Sequence, residues 1–186
     1  MDKKLLRKKY LGIRESLNID EVQSKSGQLR QHLQIFLAEQ QFDTVLLYIQ
    51  HGNEPDVLAI AESMHGVSFG VPVVTAEKGR MEFYQWTPEC SLTANRYGIK
   101  EVDVEVAKKV SFGKSVACLV PAIAVTKKGV RLGFGGGYYD RYLEDNKQIV
   151  KIGTIFNNFV CDQLPYESHD QLLDWIASES GVHHVS

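Results

Sequence analysis

At 186 residues, 44% hydrophobic and 24% charged, the chain has the make-up of a soluble globular domain that buries a core without staples. Its 21 lysines and arginines against 23 aspartates and glutamates argue against a globally basic nucleic-acid or membrane-surface binder, so any anion site has to be local. Cys90, Cys118 and Cys161 are too few and too scattered for a disulfide framework or a cysteine metal site.

The opening Met-Asp-Lys-Lys lacks the apolar run of a signal peptide, and no apolar stretch approaches the ~20 residues of a membrane span. The expectation is a cytoplasmic protein with no membrane association. Leu6, Tyr10, Ile13 and Leu17 fall at helical spacing and predict a basic amphipathic first helix. Asn18 with Glu21 three residues on reads as the cap of a second helix, continued by Leu29, Leu33 and Phe36. Residues 44–49 are short, β-branched and aromatic, which suits a buried strand. Pro55 suits the first turn of a third helix through Val57, Ile60, Ala61 and Met64, with Gly66 as its stop.

Strands are expected at 67–74, at 81–86 after a Lys78-Gly79 turn, and at 116–120, which is apolar throughout like a strand buried on both faces. The glycines of 133–137 then break the chain before a short helix at 138–145, and a further strand is expected at 149–156. No repeat or linker interrupts this order. It predicts one α/β domain over residues 1–186, with three layers around a mostly parallel, Rossmann-like central sheet. In such sheets ligands gather beyond the carboxyl ends of the strands.

The informative stretch is Arg131-Leu-Gly-Phe-Gly-Gly-Gly-Tyr-Tyr-Asp-Arg-Tyr-Leu143. Its glycines free the backbone to turn N–H groups into a concave nest, and the following helix adds the positive end of its dipole. Arg131 can clamp a phosphate through two parallel hydrogen bonds. Asp140 can ligate a metal that bridges phosphate oxygens, and Tyr138, Tyr139 and Tyr142 offer flat faces to a planar ring. The plainer reading is a tight turn with its tyrosines in the core. Two other motifs fail: a G-x-G-x-x-G fingerprint from Gly133 meets Tyr138 where glycine is needed, and Gly113-Lys114-Ser115 has Lys108 in place of the first P-loop glycine.

The run from Arg131 to Leu143 resembles the signature R-x-G-x-G-x-G-Y-Y-D of the 5-formyltetrahydrofolate cyclo-ligase family. Lys127-x-Gly129-x-Arg131, Lys4-x-x-Arg7 with Arg14, Tyr48 with Glu54 and Asp56, and Leu164-Pro165 with His169-Asp170 and Asp174 are similar to other parts of that family's pattern, in its order. The resemblance implies cyclisation of 5-formyltetrahydrofolate to 5,10-methenyltetrahydrofolate with ATP and Mg²⁺, by a monomer acting on a small molecule without nucleic acid. It implies nucleotide contacts from Lys3, Lys4, Leu5, Leu6, Arg7, Arg131, Leu132, Gly133, Phe134, Gly135, Gly136, Gly137, Tyr138 and Tyr139. Folate contacts would come from Ile49, Glu54, Phe134, Gly135, Gly136, Gly137 and Tyr138, and Mg²⁺ ligands would be Asp140 and Asp174. Arg131, Lys4 and Tyr139 are the implied catalytic residues.

The chain departs from the family pattern at Thr126, where aspartate is common, at Val73, where arginine is frequent, at Pro55 and Val57, and at Ala177-Ser178. Two other readings share these residues: a relative that binds nucleotide or folate without turnover, and a phosphosugar isomerase or acyl-transfer enzyme on a similar scaffold.

Overall fold

The computed structural model describes residues 2–94 and 100–186. Two helices open the chain, α1 (Lys3–Glu15) and α2 (Ile19–Glu39). Asp2 caps the first by accepting from the Lys4 N–H, and Asn18 caps the second by accepting from the Glu21 N–H at 2.7 Å. These carboxylate and amide oxygens satisfy N–H groups that have no partner inside the helix.

Among the described residues twelve strands and one more α-helix follow: β1 (Thr44–Leu46), β2 (Ser68–Val74), β3 (Met81–Gln85), β4 (Thr93–Ala94), β5 (Lys100–Glu101), β6 (Val116–Pro121), β7 (Ala124–Thr126), β8 (Arg131–Leu132), α3 (Tyr138–Asp145), β9 (Val150–Thr154), β10 (Val160–Cys161), β11 (Trp175–Ser178) and β12 (Gly181–His184). The main sheet runs β12-β11-β9-β6-β1-β2-β3. Its five inner strands are parallel, and β12 and β3 close the two edges antiparallel. This is the α/β fold with a mostly parallel sheet that the alternation of elements predicts.

The strand period of two sorts the core onto both faces. Val45, Ala117, Leu119, Ile152 and Ala177 face α2, where Leu29, Leu33 and Leu37 meet them. Leu46, Cys118 and Val120 face the other way, against Leu143 of α3 and Phe156 and Phe159. Helices thus cover the sheet on both sides. Burial on both faces explains why β6 reads Val-Ala-Cys-Leu-Val without alternation.

A third, smaller cluster seats α1: Leu6 packs on Ile123, Ala124 and Leu132 of the β7–β8 hairpin. That hairpin pairs Val125 with Arg131, and Gly129 turns it at φ 77°. The Thr126 hydroxyl accepts from the Val130 N–H at 3.2 Å, so the threonine at this position still satisfies the turn.

The segment after Pro55 is a correction to the sequence reading. It forms a 3-10 helix over Leu58–Glu62 instead of an α-helix through Met64. The Asp56 carboxylate takes the Leu58 N–H at 3.1 Å, and Ile60 and Ser63 then bond three residues back, to Val57 and Ile60. An aspartate that captures a backbone N–H two residues on favours this tighter start.

Candidate active site

The β8 strand hands the chain to the glycine loop, residues 133–137, just beyond the carboxyl end of β6. Gly135 (φ 97°) and Gly137 (φ 69°) occupy the left-handed region that side chains disfavour. Gly137 is the residue before α3, and no side chain caps that helix. Among the described residues, the N–H groups of residues 134–140 have no hydrogen-bond acceptor in the chain. A loop and helix start with amides left open in this way form an anion site.

The loop borders a cleft of about 580 Å³. Lys3, Lys4 and Arg7 of α1 line one wall, Pro72, Val74 and Met81 of the β2–β3 hairpin another, and Arg131, Tyr138, Tyr139 and Asp140 the floor, with Asp170 at the rim. Arg7 Nε donates to the Gly133 carbonyl at 2.8 Å, which docks α1 onto the loop. Lys4 is exposed at the mouth. Lys3 is already paired at the rim: its ammonium lies 2.8 Å from Asp170 and 3.0 Å from Glu167. Leu5 is exposed and Leu6 belongs to the core, so neither lines the cleft.

Arg131 does not stand free for a two-pronged clamp. Its Nη2 donates to Asp140 Oδ1 at 2.9 Å, its Nη1 to the Pro121 carbonyl at 3.4 Å, and its guanidinium carbon lies 5.8 Å from the Tyr139 ring centroid. Burial raises the Tyr139 phenol well above its usual pKa, which keeps it a neutral hydroxyl.

A second cleft of about 580 Å³ lies beyond the carboxyl end of β1, lined by Ile49, Gln50, His51, Leu58, Leu92 and Lys100 among others. Phe134, half exposed, borders both clefts, and the His51 ring meets it edge-on at 6.2 Å. Glu54 lies under this region, 2% exposed, and lines neither cleft. Its carboxylate accepts from the His51 N–H at 3.0 Å and pairs with Arg14 at 3.4 Å. Arg14 is itself 3% exposed and donates to the Ala122 carbonyl. Burial pulls both groups toward their neutral forms, raising Glu54 and lowering Arg14, while their mutual attraction opposes it. As a residue of a basic helix, Arg14 carried no signal of this burial.

The two aspartates read as metal ligands part company. Asp140 lies on the cleft and also accepts from the Gln171 N–H at 3.2 Å. Asp174 lies toward the amino end of the parallel sheet, where it accepts from the Lys151 N–H at 2.8 Å and pairs with its ammonium at 3.1 Å. The structure does not bring it to the cleft. Among the described residues no cluster of three or more potential ligands forms a cage. Asp140 is the carboxylate that could hold an ion of the Mg²⁺ type there, since such an ion keeps waters and takes one or two carboxylates with substrate phosphates.

Residues 1–179 match the 5-formyltetrahydrofolate cyclo-ligase family model. A Haemophilus influenzae protein named 5-formyltetrahydrofolate cyclo-ligase is 26% identical over 89% of this chain and 91% of its own length. One of the same name from Mycolicibacterium smegmatis is 29% identical over 68% of this chain and 69% of its own. The solved structure of Aquifex aeolicus 5,10-methenyltetrahydrofolate synthetase superposes with a TM-score of 0.80 at 29% identity, covering 100% of this chain and 93% of that one. The match spans both the glycine loop and the strands that present it, and the chain belongs to the 5-formyltetrahydrofolate cyclo-ligase family.

Proposed function

We propose that the chain converts 5-formyltetrahydrofolate to 5,10-methenyltetrahydrofolate at the paired clefts, with ATP and Mg²⁺. The observation that carries this reading is the run of open amides at residues 134–140 beside the cations of α1 and Arg131. The triphosphate would lie along the loop, with Lys4, Arg7 and Arg131 balancing its charge. The folate would enter from the second cleft, with Ile49 beside it and Phe134 at the edge shared by the two clefts, where the formyl oxygen would meet the γ-phosphate.

The chemistry follows from leaving groups. The formyl oxygen attacks the γ-phosphorus and ADP departs, which turns a poor leaving group into a phosphate ester. Nitrogen 10 adds to the activated carbon and loses its proton, and inorganic phosphate leaves with the former formyl oxygen. Residues of the chain align the two reactants, which can lower the barrier by roughly 7–11 kcal/mol at best. Bound Mg²⁺ would supply charge screening on the phosphoryl oxygens, held by Asp140. No nucleophilic side chain is required.

The free cysteines fit a reducing compartment, and we take the enzyme as a cytoplasmic monomer. Purified protein with ATP, Mg²⁺ and 5-formyltetrahydrofolate is expected to build the near-ultraviolet methenyl absorbance with one ADP released per product. No absorbance, or absorbance that needs no ATP, overturns the proposal.

A further inference from the structure

We propose that Arg141 is a positioning residue of the glycine loop, a clasp that holds the loop and the β2–β3 turn together so that the loop amides stay open to the nucleotide. The inference rests on the nucleotide reading of that loop. Arg141 lines neither cleft and so acts through the backbone it grips.

Its side chain projects from the fourth residue of α3 to two carbonyls at once. Nε donates to Gly79 at the tip of the β2–β3 turn at 2.8 Å, and Nη2 donates to Gly136 within the loop. The guanidinium carbon lies 6.0 Å from the Tyr138 ring centroid. Among the described residues it has no carboxylate partner, so its donors are directed at backbone. Four residues on, Asp145 pairs with Arg80 of the same turn, a second tie from the same helix.

The consequence lies in peptide geometry. A trans peptide points its C=O and N–H in opposite directions. With the Gly136 carbonyl turned to Arg141, the Gly137 N–H of the same plane is turned away from it. Three adjacent glycines would otherwise sample many such orientations, and ordering them on binding costs affinity. Gly79 (φ 79°) and Gly137 (φ 69°) stand in the left-handed region that side chains disfavour, and a side chain at either would also push the guanidinium aside. A methyl group at Gly137 would stand 2.6 Å from Nη1, and one at Gly79 would stand 2.7 Å from Cζ.

The test compares wild type with Arg141→Gln, Arg141→Lys, Gly79→Ala and the Arg141→Gln/Gly79→Ala double variant. MgATP and 5-formyltetrahydrofolate affinities are measured by titration, and amide exchange is followed across residues 133–139. Arg141→Gln is expected to weaken MgATP roughly tenfold, the loss of one or two charge-assisted hydrogen bonds. Folate affinity stays within about twofold on the same scale. Loop exchange quickens without nucleotide, and Arg141→Lys recovers part of both effects. Gly79→Ala, which lines neither cleft but presses on the Arg141 guanidinium, has the same phenotype, and the double variant is no worse than either single one.

Wild-type loop exchange and nucleotide affinity in Arg141→Gln would overturn the clasp. So would additive effects of the two substitutions, or equal weakening of folate and nucleotide. Wild type that binds no MgATP removes the nucleotide reading instead, and the exchange comparison still decides whether Arg141 holds the loop.

Discussion

Arg131 and Asp140, nine residues apart, form an ion pair of 2.9 Å on the floor of the cleft, with side chains 7% and 19% exposed. The cation offered to a phosphate and the carboxylate offered to a metal therefore hold each other. A metal drawing on Asp140 would loosen its grip on Arg131, so both partners serve the same ligand. Arg131→Ala removes the cation and leaves Asp140 as an added negative charge beside the phosphates. Turnover per enzyme is expected to fall on the order of 10²–10³-fold, as for loss of one transition-state donor. The circular dichroism spectrum should stay unchanged, and activity at wild-type level would remove Arg131 from the account.

The separation of Asp140 from Asp174 gives a second expectation. Asp140→Asn is expected to raise the Mg²⁺ concentration for half-maximal rate by about tenfold or more. Asp174→Asn is expected to leave that concentration alone and to lower stability, because it breaks the tie between β11 and Lys151 of β9. A Mg²⁺ titration of both variants checks this. Equal shifts in both would place Asp174 at the metal after all.

The buried Arg14–Glu54 pair predicts an asymmetry in denaturation. Arg14→Ala strands Glu54 in the interior and should cost about 3–5 kcal/mol in a urea melt. The double variant Arg14→Met/Glu54→Gln keeps the volume and removes both charges, and should recover more than half of that loss. If the double variant is no more stable than Arg14→Ala, the pair is not what the region depends on.

The Lys3–Asp170 strut carries a pH signature. Burial works against the lysine charge, but Asp170 and Glu167 outweigh it and raise Lys3 above its usual 10.5. Burial likewise works against the Asp170 charge, but the bonds from Lys3 and the Glu167 N–H outweigh it and hold Asp170 below its usual 3.8. A raised lysine contributes fully below 10.5 and loses its contribution as pH climbs through its folded value. A depressed aspartate contributes above 3.8 and loses its contribution as pH falls through its folded value. The stability difference between wild type and Lys3→Met should thus be constant near neutrality and shrink below pH 3.8. A difference that grows on acidification would contradict the pairing.

Thiol chemistry gives a further check. Burial pushes Cys118 up to about 12, whereas Cys90 is exposed. Alkylation of the native protein, read by mass spectrometry, should label Cys90 first and Cys118 only after unfolding.

Four of the five parallel strands, β1, β2, β6 and β9, were legible as short segments rich in apolar and β-branched residues, whereas β11 was not read. The cap at Asn18 and the helix at Tyr138–Asp145 were legible from local spacing alone. What escaped depends on distant partners. Arg14 and Glu54 are forty residues apart, and nothing in a helix rich in lysine sets one cation aside for the interior. Asp170 and Asp174 are alike as loop residues. Only the start of β11 at Trp175 sends Asp174 to Lys151 and leaves Asp170 on the cleft. The edge strand β12 carries exposed His183 and His184, which hid its pairing with β11.

The most direct test is a crystal structure with Mg²⁺ and a non-hydrolysable ATP analogue. Phosphate oxygens are expected within hydrogen-bond reach of the N–H groups of residues 134–140, with the metal on Asp140 and the adenine away from the second cleft beyond Phe134. Phosphates bound elsewhere, with those amides left open or the cleft filled by Tyr138 and Tyr139, would contradict it.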